Sequence, residues 1–400
     1  MKDRYKLYAW LATVAAGLLV GAYGVVRLMT EGTVVLGIDS QLPWGILIST
    51  YVFLVLVSTG ICIGVTPLAT VFGINEYETL VKRGLLLSLA TLAAGGAVIL
   101  VSLGRTFRAV PVMLLSPNPS SVMWWMIVLY GVYGAALAGE FYLIERRGTS
   151  LRSVAVLALI APIFAGSALG AIFGLAETRP YYGGIYGPVY FVISAVLSGI
   201  AAVSLVTGIE HAASGKSLST RLEGLLTGYL RKSLALTLGV MVFLMAWKAV
   251  RGVTATGYEA GRAYEYMLFG PHAWWVWGVV VLAGTVVPLF LTVYPGTRTV
   301  RGVLTASVLV LVGLFASRVE YVVGGQVVSL SPNDPGLGGP VLSYTPTGVE
   351  AAVAVLGFAV AALLYTAGSL AFDLDETAHA TEKRVEDEAA DVTAVGGDSD

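Results

Sequence analysis

The chain has 400 residues, 56% of them hydrophobic and only 12% charged, about half the charged share of a water-soluble domain. That composition excludes an ordinary soluble enzyme, and a formal net charge of −1 without a basic cluster gives no sign of a nucleic-acid partner. One cysteine, Cys62, and three scattered histidines, His211, His272 and His379, leave no basis for an iron–sulfur cluster, a haem or another metal within the chain.

A helix needs about 20 apolar residues to cross the hydrocarbon core. Such stretches are read at 7–29, 45–67, 84–104, 122–144, 151–174, 187–208, 232–251, 273–293, 301–323 and 349–371. Alternating strand patterns are absent, so the fold class is an all-α polytopic membrane protein of about ten transmembrane helices. The first span has the basic flank of a signal peptide but is too long and lacks a small-residue cleavage site, so it stays as an anchor. Pro162 and Pro288 fall inside spans five and eight and should kink them.

Basic residues set the orientation. With the N-terminus inside, sixteen of the 24 lysines and arginines lie on the inner side, among them Lys82, Arg83, Arg146 and Arg147. This is the positive-inside bias, and with an even span count it puts both termini in the cytoplasm of a multi-pass cytoplasmic-membrane protein. The outer loops, at 37–45, 105–121, 175–188, 252–272 and 331–346, are rich in Pro, Gly, Asn and aromatic residues, turn chemistry that suits docking and ligand work. The last 28 residues are acidic without large apolar side chains and read as a disordered tail.

Gly104–Trp125 is the densest stretch. It carries Arg105, Arg108, Pro111, Pro117, Asn118 and Pro119 between two apolar spans, more than a turn requires, and reads as the rim of a binding site on the outer face. Span four then sets Met123, Met126, Tyr130, Tyr133, Leu137 and Glu140 at intervals of 3, 4, 3, 4 and 3, on one helical face. An acid inside a membrane is a functional hypothesis by default. Tyr130, Tyr133 and Glu140 are therefore read as a partial proton path, against the alternative of a glutamate that snorkels to water or pairs with a neighbour. A weak echo joins Tyr51–Gly60 in span two to Tyr190–Gly199 in span six. It suggests parallel four-helix repeats, spans 2–5 and 6–9, although small residues also serve plain helix packing. Arg318 and Glu320 are two residues apart and do not face each other. Lys248 lies near an outer helix end, not mid-helix as a retinal site would need.

Pro43-Trp44-Gly45, Ser58-Thr59-Gly60, Leu103-Gly104-Arg105 with Pro111, and Ser116-Pro-Asn-Pro-Ser-Ser-Val-Met123-Trp124 resemble the NrfD/polysulfide reductase family of integral membrane subunits, in its ten-span form, over roughly residues 5–372. The Tyr190–Gly199 notch matches as well. The resemblance implies two four-helix bundles with an outer helix at each end. It divides the chain into an N-terminal helix (1–30), a first bundle with the outer rim (31–178), a second bundle (179–323), an outer loop and last helix (324–372) and the acidic tail (373–400).

The same resemblance implies a quinol-interacting anchor of a multi-subunit respiratory oxidoreductase, not catalytic alone. Quinol, with menaquinone the expected type, would be oxidised or quinone reduced near the outer face. Electrons would pass to or from a ferredoxin-like iron–sulfur subunit serving a molybdopterin catalytic subunit on that face. Asp39, Trp44, Arg105, Arg108, Asn118, Met123, Trp124 and Tyr130 are the expected quinol-binding residues, and no residue is assigned as catalytic or as a metal ligand. Members of the family often set a histidine near the headgroup, whereas here the first histidine is His211, so Asp39, Tyr130 or an arginine-bound water takes the proton acceptor's place. A secondary transporter and a purely structural anchor are the competing classes.

Overall fold

The computed structural model describes residues 2–104, 111, 115–176, 179, 181–214, 218–254, 258–329 and 341–374. Arg105, Arg108 and the acidic tail beyond Leu374 lie outside the described residues.

Among the described residues ten helices are long and apolar enough to cross a membrane, one for each span expected. In chain order they are α1 (Lys2–Glu31), α2 (Ile46–Gly64), α3 (Glu78–Ser102), α4 (Val122–Arg147), α5 (Arg152–Gly174), α6 (Tyr186–Ser214) and α7 (Arg231–Thr254). The short α8 (Tyr258–Phe269) follows, then a π-helix (Trp275–Val286) continuing as α9 (Val287–Val293), α10 (Val300–Gly324) and α11 (Gly348–Ala371). No strand occurs among the described residues, only an isolated bridge between Val328 and Val341.

Local chemistry explains the helix ends. Thr299 caps α10 by accepting from Gly302 N, and Thr347 with Glu350 forms a reciprocal capping box on α11. Gly148 ends α4 in the left-handed region, φ 70°, just after Arg146 and Arg147, whose charges complement the helix dipole. Pro288 was expected to kink span eight. It sits in the first turn of α9, where the π register gives way to the α register. A proline has no N–H to place in the ladder, so a change of register there costs little.

The centre of the molecule is α2, buried along nearly its whole length and packed on α3, α5, α6, α10 and α11. It crosses α6 backbone to backbone: a Cβ on Gly60 would overlap the Ala195 carbonyl, and one on Gly199 would overlap the Gly60 peptide. The two echoing segments of the sequence are thus the two sides of one crossing, held by small residues. Around it α3 packs on α4, α4 on α5 and α5 on α2, while α7 and α10 pack on α6 and the π-helix packs on α10. The first and last helices pair along the side: Gly21 and Gly24 of α1 leave room only for Leu356 and Ala352 of α11, and Trp10 Nε1 donates to Thr366 Oγ1 at 2.9 Å.

The described parts of loops 32–45, 103–121, 175–185 and 325–347 gather at one end, here the rim end. Arg179 ties three of them, donating to Gln41 O at 2.6 Å and Val328 O at 3.3 Å. At the opposite end buried cations link helices instead: Arg83 Nε lies 2.7 Å from Glu210 Oε2, and Lys82 Nζ 3.0 Å from Glu145 Oε2.

Candidate functional site

A cavity of about 380 Å³ lies among α2, α3, α4 and α5 just below the rim. Trp44, Ile48 and Tyr51 line one side, Leu92, Gly96 and Ile99 a second, Met123, Met126 and Tyr130 a third, with Phe173 behind. The lining is almost wholly apolar. Gly96 widens it, since a Cβ there would meet nothing within 4 Å. Among the described residues Tyr51 OH reaches only the Met126 sulfur, at 3.4 Å, and the Tyr130 hydroxyl is buried with no hydrogen-bond partner. An apolar slot with few polar groups is the usual form of a small-molecule site, and a buried hydroxyl left unpaired costs about 1–3 kcal/mol.

Trp44 is held from a distance. Its N–H donates to Gln326 Oε1 at 3.0 Å and its carbonyl accepts from Gln326 Nε2 at 2.9 Å, so a side-chain amide from beyond α10 brackets this one residue's backbone like a neighbouring strand. The indole stands edge-on to Phe173, ring centres 5.3 Å apart. The next turn is fixed by Tyr344, whose hydroxyl accepts from Ile46 N at 2.8 Å and donates to Glu350 Oε1 at 2.9 Å. Burial pushes the Tyr344 hydroxyl above its ordinary range, which keeps it a donor to that carboxylate.

Below the cavity a polar thread runs along α4. Tyr130 and Tyr133 have ring centres 6.3 Å apart. Tyr133 OH lies 2.6 Å from Ser58 Oγ and 3.4 Å from Cys62 Sγ. Cys62 donates to Ser88 Oγ at 3.5 Å, and Ser88 to the Ser58 carbonyl at 3.1 Å. Two turns on, Glu140 is 1% exposed with Oε1 unpartnered and the Thr70 side chain beside it. Thr70 also lines a cavity of about 220 Å³ at the opposite end, with Glu78, Thr149 and Ser150.

Of the residues singled out in the sequence, Trp44, Met123 and Tyr130 line the upper cavity, and Tyr133 and Glu140 continue from it. Asp39 does not line it: its Oδ1 accepts from Gln41 N at 2.7 Å and Leu42 N at 2.8 Å, closing a turn on the rim. Asn118 likewise binds Ser120 within its own loop, and Trp124 packs edge-on to Trp125 at 5.0 Å. Arg105 and Arg108 lie outside the described residues. Sequence reasoning missed Tyr51, Gly96, Phe173 and Gln326. The Tyr51 echo was a signal for the first; nothing local marks Gln326.

Ten apolar helices among the described residues, with an apolar cavity beneath one rim, define a multi-pass membrane protein. Residues 34–329 match the profile of the family described as Polysulphide reductase, NrfD, and the chain belongs to that family. It is also similar to a Halobacterium salinarum protein provisionally named as the membrane subunit of a dimethyl sulfoxide reductase, with 26% identity over 90% of this chain and 89% of the relative. A second relative, from Mesobacillus selenatarsenatis, is named as a subunit of selenate reductase and is 21% identical over 80% of this chain and 82% of that protein.

Proposed function

We propose that this chain is the quinol-interacting membrane anchor of a multi-subunit respiratory reductase, with the upper cavity as its quinol site. The observation that carries the reading is the Tyr130 hydroxyl, buried and unpartnered on the wall of a slot otherwise built of Trp44, Met123, Met126 and Phe173. A quinol ring offers two flat apolar faces to such walls and an oxygen to that hydroxyl. Oxidation of one quinol to quinone releases two electrons and two protons. Electrons would leave through the rim to an iron–sulfur subunit docked there, and on to a molybdopterin subunit that reduces an oxygen-bearing acceptor, as the names of the two relatives suggest.

The reading carries several further assignments. The rim end faces outwards and both termini are cytoplasmic, with the buried cations Lys82 and Arg83 on the inner side. Residues 31–178 act as the quinol-binding bundle and 179–323 as its companion, flanked by 1–30 and 324–372 and followed by the tail 373–400. Menaquinone is the expected substrate. Tyr133, Ser58 and Cys62 lead from the cavity towards Glu140, which would serve protons moving between the cavity and the opposite end. Arg105 and Arg108 would meet the docked subunit or the headgroup.

The complex, purified gently with its partners, tests this. Addition of a reduced naphthoquinol should reduce the partner's iron–sulfur clusters, followed by EPR. A quinone-site inhibitor should block that reduction, and filling the slot by Gly96→Leu should abolish it. Cluster reduction that survives Gly96→Leu would remove the cavity from the pathway.

A further inference from the structure

A second cavity, of about 240 Å³, lies among α6, α7, the π-helix and α10, under the cover of α8. Tyr186 and Tyr190 of α6 form one wall, their rings stacked at 5.5 Å and 12°. Val276, Val280 and Thr285 of the π-helix form another. A π-helix is rare and frequent at functional sites, and here six of the twelve residues of the π segment line the cavity. The wall opens sideways: Val242, Trp277 and Val286 line it yet are exposed on the outer surface of the helices, Trp277 at 47%, where the surrounding phase is lipid.

Its rim-side end is polar in a way that the first cavity is not. Lys248 Nζ sits 2.8 Å from both oxygens of Glu320 and lies over the rings of Tyr181 and Tyr321, at 4.9 and 5.5 Å. Tyr181 donates to the same carboxylate. An ammonium has three donors, and the carboxylate accounts for two. Tyr190 OH is bonded to Ser317 Oγ on the facing wall. Phe191 separates the two cavities, 5.7 Å from Phe173 of the first and 6.0 Å from Tyr190 of the second.

We infer that this cavity is a second, separate binding site for a neutral ring-bearing amphiphile of the quinone class, entered from the lipid and held at a ring oxygen by Lys248. The charge arrangement selects the occupant. Lys248 and Glu320 sum to zero, so a carbonyl or hydroxyl gains a donor without an uncompensated charge. Arg251 and Arg318 lie over the rings of Tyr186 and Tyr190, at 5.7 and 5.1 Å, and do not line the cavity, so a phosphate headgroup inside it would face the Glu320 carboxylate. Four tyrosines and Trp277 supply flat faces for a ring, and the valines take the first units of an apolar tail. The choice of a quinone as the occupant rests on the reading of the first cavity as a quinol site.

The test counts ligands. The purified complex is stripped of lipid-soluble quinone and titrated with a radiolabelled short-tailed naphthoquinone. Two equivalents per complex are expected. Ala249→Phe, which fills the second cavity, should leave one equivalent and unchanged quinol-driven cluster reduction; Gly96→Leu should leave one equivalent and no cluster reduction. Lys248→Met should weaken the second equivalent about tenfold or more, the worth of one charged hydrogen bond. One equivalent in the unaltered complex, two equivalents persisting in Ala249→Phe, or a phospholipid extracted in place of the second quinone would each overturn the inference. Turnover persisting in Gly96→Leu would sink the first-cavity reading alone.

Discussion

The two cavities lie on either side of one helix crossing, and they differ at their polar ends. The first ends in neutral groups, the hydroxyls of Tyr51 and Tyr130 and the sulfur of Met126. The second ends in an ion pair, Lys248 with Glu320, backed by the tyrosines 181, 186 and 190. A neutral slot suits an occupant whose own charge changes during turnover, because no fixed charge has to be overcome for one form. A fixed ion pair favours a single form and holds it. Under the two proposals above, exchange belongs to the first cavity and retention to the second.

The largest expected effect removes the crossing on which both depend. Gly60→Leu places a side chain where the Ala195 backbone lies, so the purified subunit should lose both ligand equivalents and assemble poorly, read by size-exclusion yield. Next comes Glu320→Ala, which leaves Lys248, 18% exposed, without its carboxylate. Breaking a fully buried pair costs roughly 3–5 kcal/mol; with Lys248 partly exposed the loss is smaller, and thermal unfolding should fall by a few degrees with the second equivalent lost first. Tyr130→Phe removes one hydroxyl from the first cavity. Quinol-driven reduction should slow about tenfold, one hydrogen bond's worth, with the second equivalent untouched. Glu140→Gln should slow turnover less at saturating quinol but abolish proton movement in vesicles; unchanged proton movement would break the thread below the first cavity.

The smallest effect concerns pH. Burial raises the hydroxyls of Tyr181, Tyr182, Tyr264 and Tyr344, all outside the membrane spans. In the unfolded chain a tyrosine ionises near pH 10, about its ordinary value. These hydroxyls stabilise the fold fully below that pH, and their contribution is lost as pH rises past it, since only the unfolded chain then releases the protons easily. Melting temperatures at pH 8 and pH 11 should differ in that sense, and a melting temperature that rises towards pH 11 would contradict the burial of these rings at the rim.

Much of the fold was legible because a membrane imposes one rule on every span. The ten helices follow from apolar length alone, and the stripe from Met123 to Glu140 follows from helical spacing, which is why Met123, Met126 and Tyr130 arrive together on the cavity wall. The echo of Tyr51–Gly60 in Tyr190–Gly199 was legible as a likeness but not as a contact. The contact depends on two glycines facing each other across 139 positions of chain, from Gly60 to Gly199. Pairings between helices were illegible for the same reason. Glu320 was seen beside Arg318 in sequence, yet its partner is Lys248 from α7, while Arg318, 1% exposed, turns to Ser194 of α6 and lies over the rings of Tyr190 and Phe191. The hold of Gln326 on Trp44 spans 282 positions. Periodicity reports which face of a helix is apolar and carries no information on which distant residue meets it.

The pairing of α1 with α11 bears on how the protein is made. α1 leaves the ribosome well before α11, and at about 5–20 residues per second the delay is roughly 20 to 70 s. During that interval the small-residue face around Gly21 and Gly24 has only lipid to touch. A chain that stops short of Leu356 would leave that face uncovered for good, so the α1–α11 seam closes only once α11 has been made.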